Sequence, residues 1–186
     1  MATREIVYAS DARLRQKAKR VKQFGPALKT LADDMLETMD VAHGIGLAAP
    51  QIGLLQRLFV AYLPEDEEDP QSGKAYVLVN PKVVKTSRSE VEGQEGCLSI
   101  PSWYGLVWRP EWVVVKAQDT DGKPIRIRAE GLLARVFLHE MDHLDGVLFI
   151  DRVENPEKLW QATPEDLPQD ENEITAVEES NAVIMA

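Results

Sequence analysis

The sequence predicts an α+β fold, short antiparallel strands packed around a buried late helix. Three observations carry that prediction. An early segment repeats its apolar residues at helical spacing. The middle of the chain holds runs rich in Val, Leu and aromatic residues, separated by turn signals. A late segment, 130–145, is apolar around most of a helical circumference, the mark of a helix enclosed on all sides. With 186 residues, 44% of them hydrophobic and 28% charged, the chain is large enough to bury a core of its own.

The elements follow in order. Ser10 offers an N-cap to a segment running to Val21, where Arg13, Arg15, Lys17, Lys19 and Arg20 are expected on a solvated helix face. A stronger helix starts after Gly25, with Pro26 suited to its first turn; Leu28, Leu31, Met35 and Met39 recur three and four apart, and Gly44 ends it. His43, at that end, is read as structural or exposed. Residues 57–63, 75–80 and 112–118 read as strands, the first two separated by the polar loop PEDEEDPQSGK. Asp121-Gly122 signals a hairpin into PIRIRA, in which Ile125 and Ile127 share one face. The late helix closes at Gly146.

Charge is unevenly placed. The net charge is −10, yet nine carboxylates against one Lys lie in 154–186, leaving residues 1–153 nearly balanced. We therefore expect a catalytic domain over 1–153 and an acidic tail over 154–186, with a short helical turn in NPEKLWQ packed on the body and a mobile or weakly docked stretch from Thr163 on. A single cysteine excludes an intramolecular disulfide and fits a reducing compartment. No apolar run matches a secretory signal or a membrane span, so a cytoplasmic protein is expected, with no membrane and no DNA among its partners.

The late helix contains HEMDH (139–143). Residues four apart face the same way, so His139 and His143 can hold one ion, while Glu140, about 100° around, can hold a water beside it. Two His and a Glu buried without purpose would each cost ~1–3 kcal/mol. A hydrolytic metal site needs a third protein ligand and an open position. In the longer pattern H-E-x-x-H-x-x-G-x-x-H this chain matches through Gly146, but the last position is Phe149. The later Glu residues lie in the polar tail. The remaining candidate is upstream: Cys97, in EGCLSIP, completes a Cys/His/His set as a thiolate, and Gly96 beside it allows close backbone approach.

Three motifs in order, GIGLAAPQ (44–51), EGCLS (95–99) and HEMDH (139–143), resemble those of the peptide deformylases, with similarity from about residue 8 to about residue 153. The resemblance implies the deformylase fold and removal of the formyl group from N-formylmethionine of new polypeptides, giving formate. It implies a metal-bound water as nucleophile and Glu140 as general base, then general acid. It assigns oxyanion stabilisation to the Gln51 side chain and the Leu98 backbone N–H, and substrate-backbone contacts to Ile45, Gly46 and Gly96. Leu132 and Val136 are candidates for a methionine-sized pocket. Fe²⁺ is implied as the native ion, with Zn²⁺, Ni²⁺ or Co²⁺ able to substitute. Nascent chains are the partners; some family members dock on the ribosome through a basic C-terminal helix, which this acidic tail does not provide.

Two other readings stand beside this one. A metallopeptidase would use the same Glu and water, but leaves Cys97 and Gln51 without a role. A structural metal protein would need a fourth protein ligand, and none is evident.

Overall fold

The computed structural model describes residues 2–162 and 184–185. Two helices, α1 (Pro26–Val41) and α2 (Gly131–Leu144), accompany nine strands: β1 (Gly46–Ala48), β2 (Leu58–Tyr62), β3 (Ala75–Thr86), β4 (Glu90–Cys97), β5 (Ile100–Pro110), β6 (Trp112–Gln118), β7 (Pro124–Glu130), β8 (Leu159–Gln161) and β9 (Ile184–Met185). They form a five-stranded sheet, β1-β2-β3-β6-β7, and a four-stranded sheet, β8-β5-β4-β9.

The larger sheet is covered on both faces, which explains why β2 reads LFVAY without polar alternation. Leu58 and Val60 join Leu28, Ala32, Met35 and Met39 of α1 in one core. Phe59 and Ala61 turn to the opposite face and join Leu133, Ala134, Phe137 and Met141 of α2. Phe137 meets Phe59 and Tyr76 edge to face, with centroids 5.3 and 5.4 Å away. Burying such a side chain contributes about 1.5–3 kcal/mol. A third cluster beneath the smaller sheet gathers Leu14, Cys97, Ile100, Val107, Leu148 and Phe149.

The helices expected after Gly25 and over 130–145 are present as α1 and α2, and so are the strands at 57–63, 75–80, 112–118 and 124–129. β3, however, continues past Asn80 (φ 53°) and Pro81 through a register shift between Val79 and Lys82. The Asn80 side chain compensates there, accepting from Val21 N–H at 2.8 Å and donating to the Val21 carbonyl at 3.0 Å and Gln118 Oε1 at 3.0 Å.

The segment from Ser10 to Val21 corrects an expectation. It is no α-helix: a four-residue 3₁₀ turn, Ala12–Arg15, is capped by Asp11, which also pairs with Arg13. Beyond it Ala18 N–H donates to the Leu144 carbonyl, while Lys19 bonds the backbone of Leu55 and Arg57. The backbone is thereby committed to other elements. His43 is exposed, beyond the end of α1. After Asp151 the chain makes a 3₁₀ turn at Pro156–Lys158, and β8 then pairs with β5, Trp160 stacking on Tyr104 at 6.3 Å. The expectation of a mobile tail falls on 163–183 and 186, outside the described residues. Among the described residues, no helix is long and apolar enough to cross a membrane.

Candidate active site

Helix α2 presents His139 and His143 one turn apart, with ring centroids at 5.0 Å, and Glu140 between them; all three are buried. Cys97 comes from the opposite side, as the last residue of β4. A two-residue turn, Leu98-Ser99, follows it, with Cys97 registered against Ile100 of β5. The N–H groups of Ser99 and Ile100 approach its sulfur. The three potential ligand atoms of Cys97, His139 and His143 lie within 4.8 Å of one another, and Cys97 Sγ is 3.3 Å from His143 Nε2. A tetrahedral ion with bonds of about 2.0–2.3 Å spaces its ligands by roughly 3.3–3.8 Å, so these side chains need little adjustment to hold one.

The electrostatics fit a cation. Burial pushes the Cys97 thiol up to about 12, with Glu140 adding to the effect and the turn N–H groups opposing it. Burial lowers His143 well below the usual histidine range, reinforced by His139. Glu140 is raised well above the usual carboxylate range by burial and by the charge of Glu95. Burial thus disfavours the charged thiolate and carboxylate, and a divalent ion held by these donors would favour both. His139 Nε2 and both Glu140 oxygens are buried without a hydrogen-bond partner, as a site awaiting ligands requires.

Around this set lies a polar frame. Glu95 is fully buried and accepts from His139 Nδ1 at 2.9 Å, which fixes the ring and leaves Nε2 for an ion. Arg109 donates twice to Glu95, both at 2.9 Å, and once to Asp142 at 2.7 Å; Arg135 adds a third donor to Glu95 at 3.1 Å. Although burial works to raise the Glu95 carboxyl, the bonds from Arg109 and His139 hold it well below the usual range. Arg135 also bonds the carbonyls of Val91, Gly93 and Val107. Gly93 makes room for it: a Cβ there would stand 2.7 Å from Arg135 Cζ.

Motif 44–51 forms the opposite wall. Gly46 packs so closely on α2 that a Cβ would clash with Glu140 Oε1 and stand 3.1 Å from Val136 Cγ1. A 3₁₀ turn over Ala49–Ile52 delivers Gln51. Its Oε1 accepts from Ala48 N–H at 2.7 Å, so its NH₂ must face the site, 3.6 Å from Cys97 Sγ. Phe149, where the longer metal-binding pattern places a third His, stacks on His139 at 6.1 Å.

The chain is similar to known proteins: the polypeptide deformylase family model covers residues 3–159. The chain belongs to the polypeptide deformylase family. A peptide deformylase of Thermomicrobium roseum is 49% identical over 160 residues, 86% of this chain and 90% of its own length. The crystal structure of a peptide deformylase from Legionella pneumophila has a TM-score of 0.76 at 47% identity, covering 84% of this chain and 89% of its own. One from Synechococcus elongatus, in complex with actinonin, has a TM-score of 0.77 at 48% identity, covering 85% and 84%. The chain is therefore an enzyme of the deformylase family, dependent on a divalent metal.

Within this deformylase fold the structure brings Cys97, His139, His143, Glu140, Gln51 and Gly46 to one place. Leu98, half-buried, lines a cavity of about 260 Å³ with Cys97, Ile100 and Tyr104. Leu132 lines a separate cavity of about 770 Å³, with Gly93 and Arg135, whereas Val136 is buried against Gly46. Sequence reasoning missed the frame of Glu95, Arg109, Asp142 and Arg135. A usable signal existed in Arg135, a cation inside an otherwise apolar helix.

Proposed function

We propose that this chain removes the formyl group from N-formylmethionyl polypeptides as they are made, with Cys97, His139 and His143 holding the ion. The observation that carries this reading is the buried, unpartnered Glu140 carboxylate beside three converging donors. The ion supplies Lewis acidity, which makes water nucleophilic near neutral pH. Glu140 takes the attacking water's proton and passes it to the amine nitrogen as the C–N bond breaks, leaving formate and a free N-terminus. The Gln51 NH₂ and the Leu98 N–H donate to the formyl oxygen as it gains charge. Ile45, Gly46 and Gly96 offer backbone to the peptide, and of the two pocket candidates Leu132, on the cavity of about 770 Å³, meets the methionine side chain, whereas Val136 is fully buried.

Iron(II) is the ion we assign, on likeness to the family; zinc, nickel and cobalt suit the same donors. The catalytic unit spans 1–153, with 154–186 outside the chemistry, and the enzyme works in the cytoplasm, where a lone thiol stays reduced. The acidic tail is repelled by ribosomal RNA, so any ribosome contact is made elsewhere.

The test is formate release from a formyl-methionyl peptide by anaerobically purified protein of measured metal content, alongside Glu140→Ala. The variant is expected to keep its metal and lose ~10²–10⁴-fold in kcat. Near-normal turnover by metal-loaded Glu140→Ala would overturn the assignment.

A further inference from the structure

Two strand edges border the site. β1 is the terminal strand of the larger sheet, and Gly46 on it touches Glu140. In the smaller sheet β4 leads directly to Cys97, and its second edge, beside Glu95 and Gly96, is taken by β9: Glu95 pairs with Ile184 and Gly96 with Met185. Among the described residues this is the one parallel pairing in either sheet.

We infer that the C-terminal segment Ile184–Met185 docks on this edge as an internal competitor of the peptide substrate. The inference rests on the deformylase reading above. A strand edge carries backbone N–H and C=O groups that water or another strand must satisfy, and an extended peptide adds to it irrespective of its side chains. A formyl peptide must bring its N-terminus to Cys97, so along β4 it runs antiparallel to that strand. The tail runs the other way, from Ile184 to Met185 alongside Glu95 to Gly96, toward Cys97. Both need the backbone of Glu95 and Gly96, so one excludes the other. A tethered segment competes at an effective concentration on the order of millimolar, so weak docking suffices.

Occupancy of this kind raises KM and leaves kcat alone. A tail docked about three-quarters of the time raises KM about fourfold, because only the undocked fraction accepts substrate. Deleting 182–186, or 163–186, is expected to lower KM several-fold with kcat and metal content unchanged. A fluorescent peptide of residues 177–186 should bind the truncated chain by anisotropy, be displaced by substrate, and inhibit turnover competitively; the same peptide carrying Ile184→Pro and Met185→Pro, which removes the backbone donors of that strand, should not. An unchanged KM on truncation, or failure of the peptide to bind, overturns the inference. If neither form releases formate while the peptide still binds in register with β4, as seen by NMR shifts at Glu95 and Gly96, the deformylase reading fails and the docking stands.

Discussion

Glu95→Gln changes one atom at a position with no exposure and four donors around it. Oε1 accepts from Arg109 Nε and Arg135 Nη1; Oε2 accepts from Arg109 Nη2 and His139 Nδ1. Glutamine fits the space, but its NH₂ must replace one oxygen, so either orientation sets it against two donors. If it faces His139, that ring has to accept at Nδ1 and carry its proton on Nε2, the atom a metal needs. The substitution also leaves Arg109, 6% exposed, and Arg135, 10% exposed, without their shared counter-charge. Breaking a buried ion pair from one side costs about 3–5 kcal/mol. For a chain of this size that lowers the Tm by roughly 6–20 °C. Loss of the orienting carboxylate weakens metal affinity by about 10–100-fold. Thermal unfolding of the metal-free protein measures the first effect, and competition with a chromophoric chelator the second. Unchanged stability together with unchanged metal affinity would refute the view that Glu95 orients His139.

Three further substitutions separate the remaining roles. Cys97→Ala should lose its metal on dialysis, because two imidazoles remain; full retention by metal analysis would remove Cys97 from the ligand set. Gly46→Ala places a methyl group against Glu140 Oε1 and Val136. Its kcat should fall at least about tenfold, as a displaced general base forfeits part of its ~10²–10⁴-fold contribution, with metal retained; normal kcat would show that β1 yields freely. Gln51→Leu should slow turnover by ~10²–10³-fold if the amide is one oxyanion donor, and an unchanged kcat would confine Gln51 to holding Ala48.

Much of this molecule is legible in its sequence because the signals are local. α1 and α2 repeat at helical spacing, and HEMDH places two imidazoles on one helix face by its own periodicity. The strands of the larger sheet carry apolar runs because both faces are buried. β4 escaped the same reading for a physical reason. Its sequence, EVEGQEGC, has few apolar residues, and its buried end consists of Glu95, Gly96 and Cys97. That face is enclosed by ion pairing to Arg109, an interaction 14 residues away that leaves no periodic trace. β5 hides similarly, bounded by prolines and burying Arg109 among Tyr104, Gly105 and Val107. Cys97 was legible only through chemistry, as the third donor that the two His residues lacked, and its sulfur lies within 4.8 Å of their ring nitrogens. The segment from Ser10 to Val21 misled because its helix-like composition was overridden by backbone bonds to Leu144, Leu55 and Arg57.

The smaller sheet meets α2 through a seam of directed bonds. Arg135 reaches three carbonyls of β4 and β5, Arg109 reaches Asp142, and Asp142 in turn receives Arg152 from beyond the helix. Greasy surfaces can slide across one another at little cost, whereas a guanidinium fork bound to fixed oxygens cannot. β4 is thereby clamped at a set height along α2, and Cys97 arrives opposite His143 as the fold closes. The ordering that metal capture would otherwise demand is completed during folding. A centre framed this way takes its spacing from the scaffold, which sets the distances that any ion there has to meet.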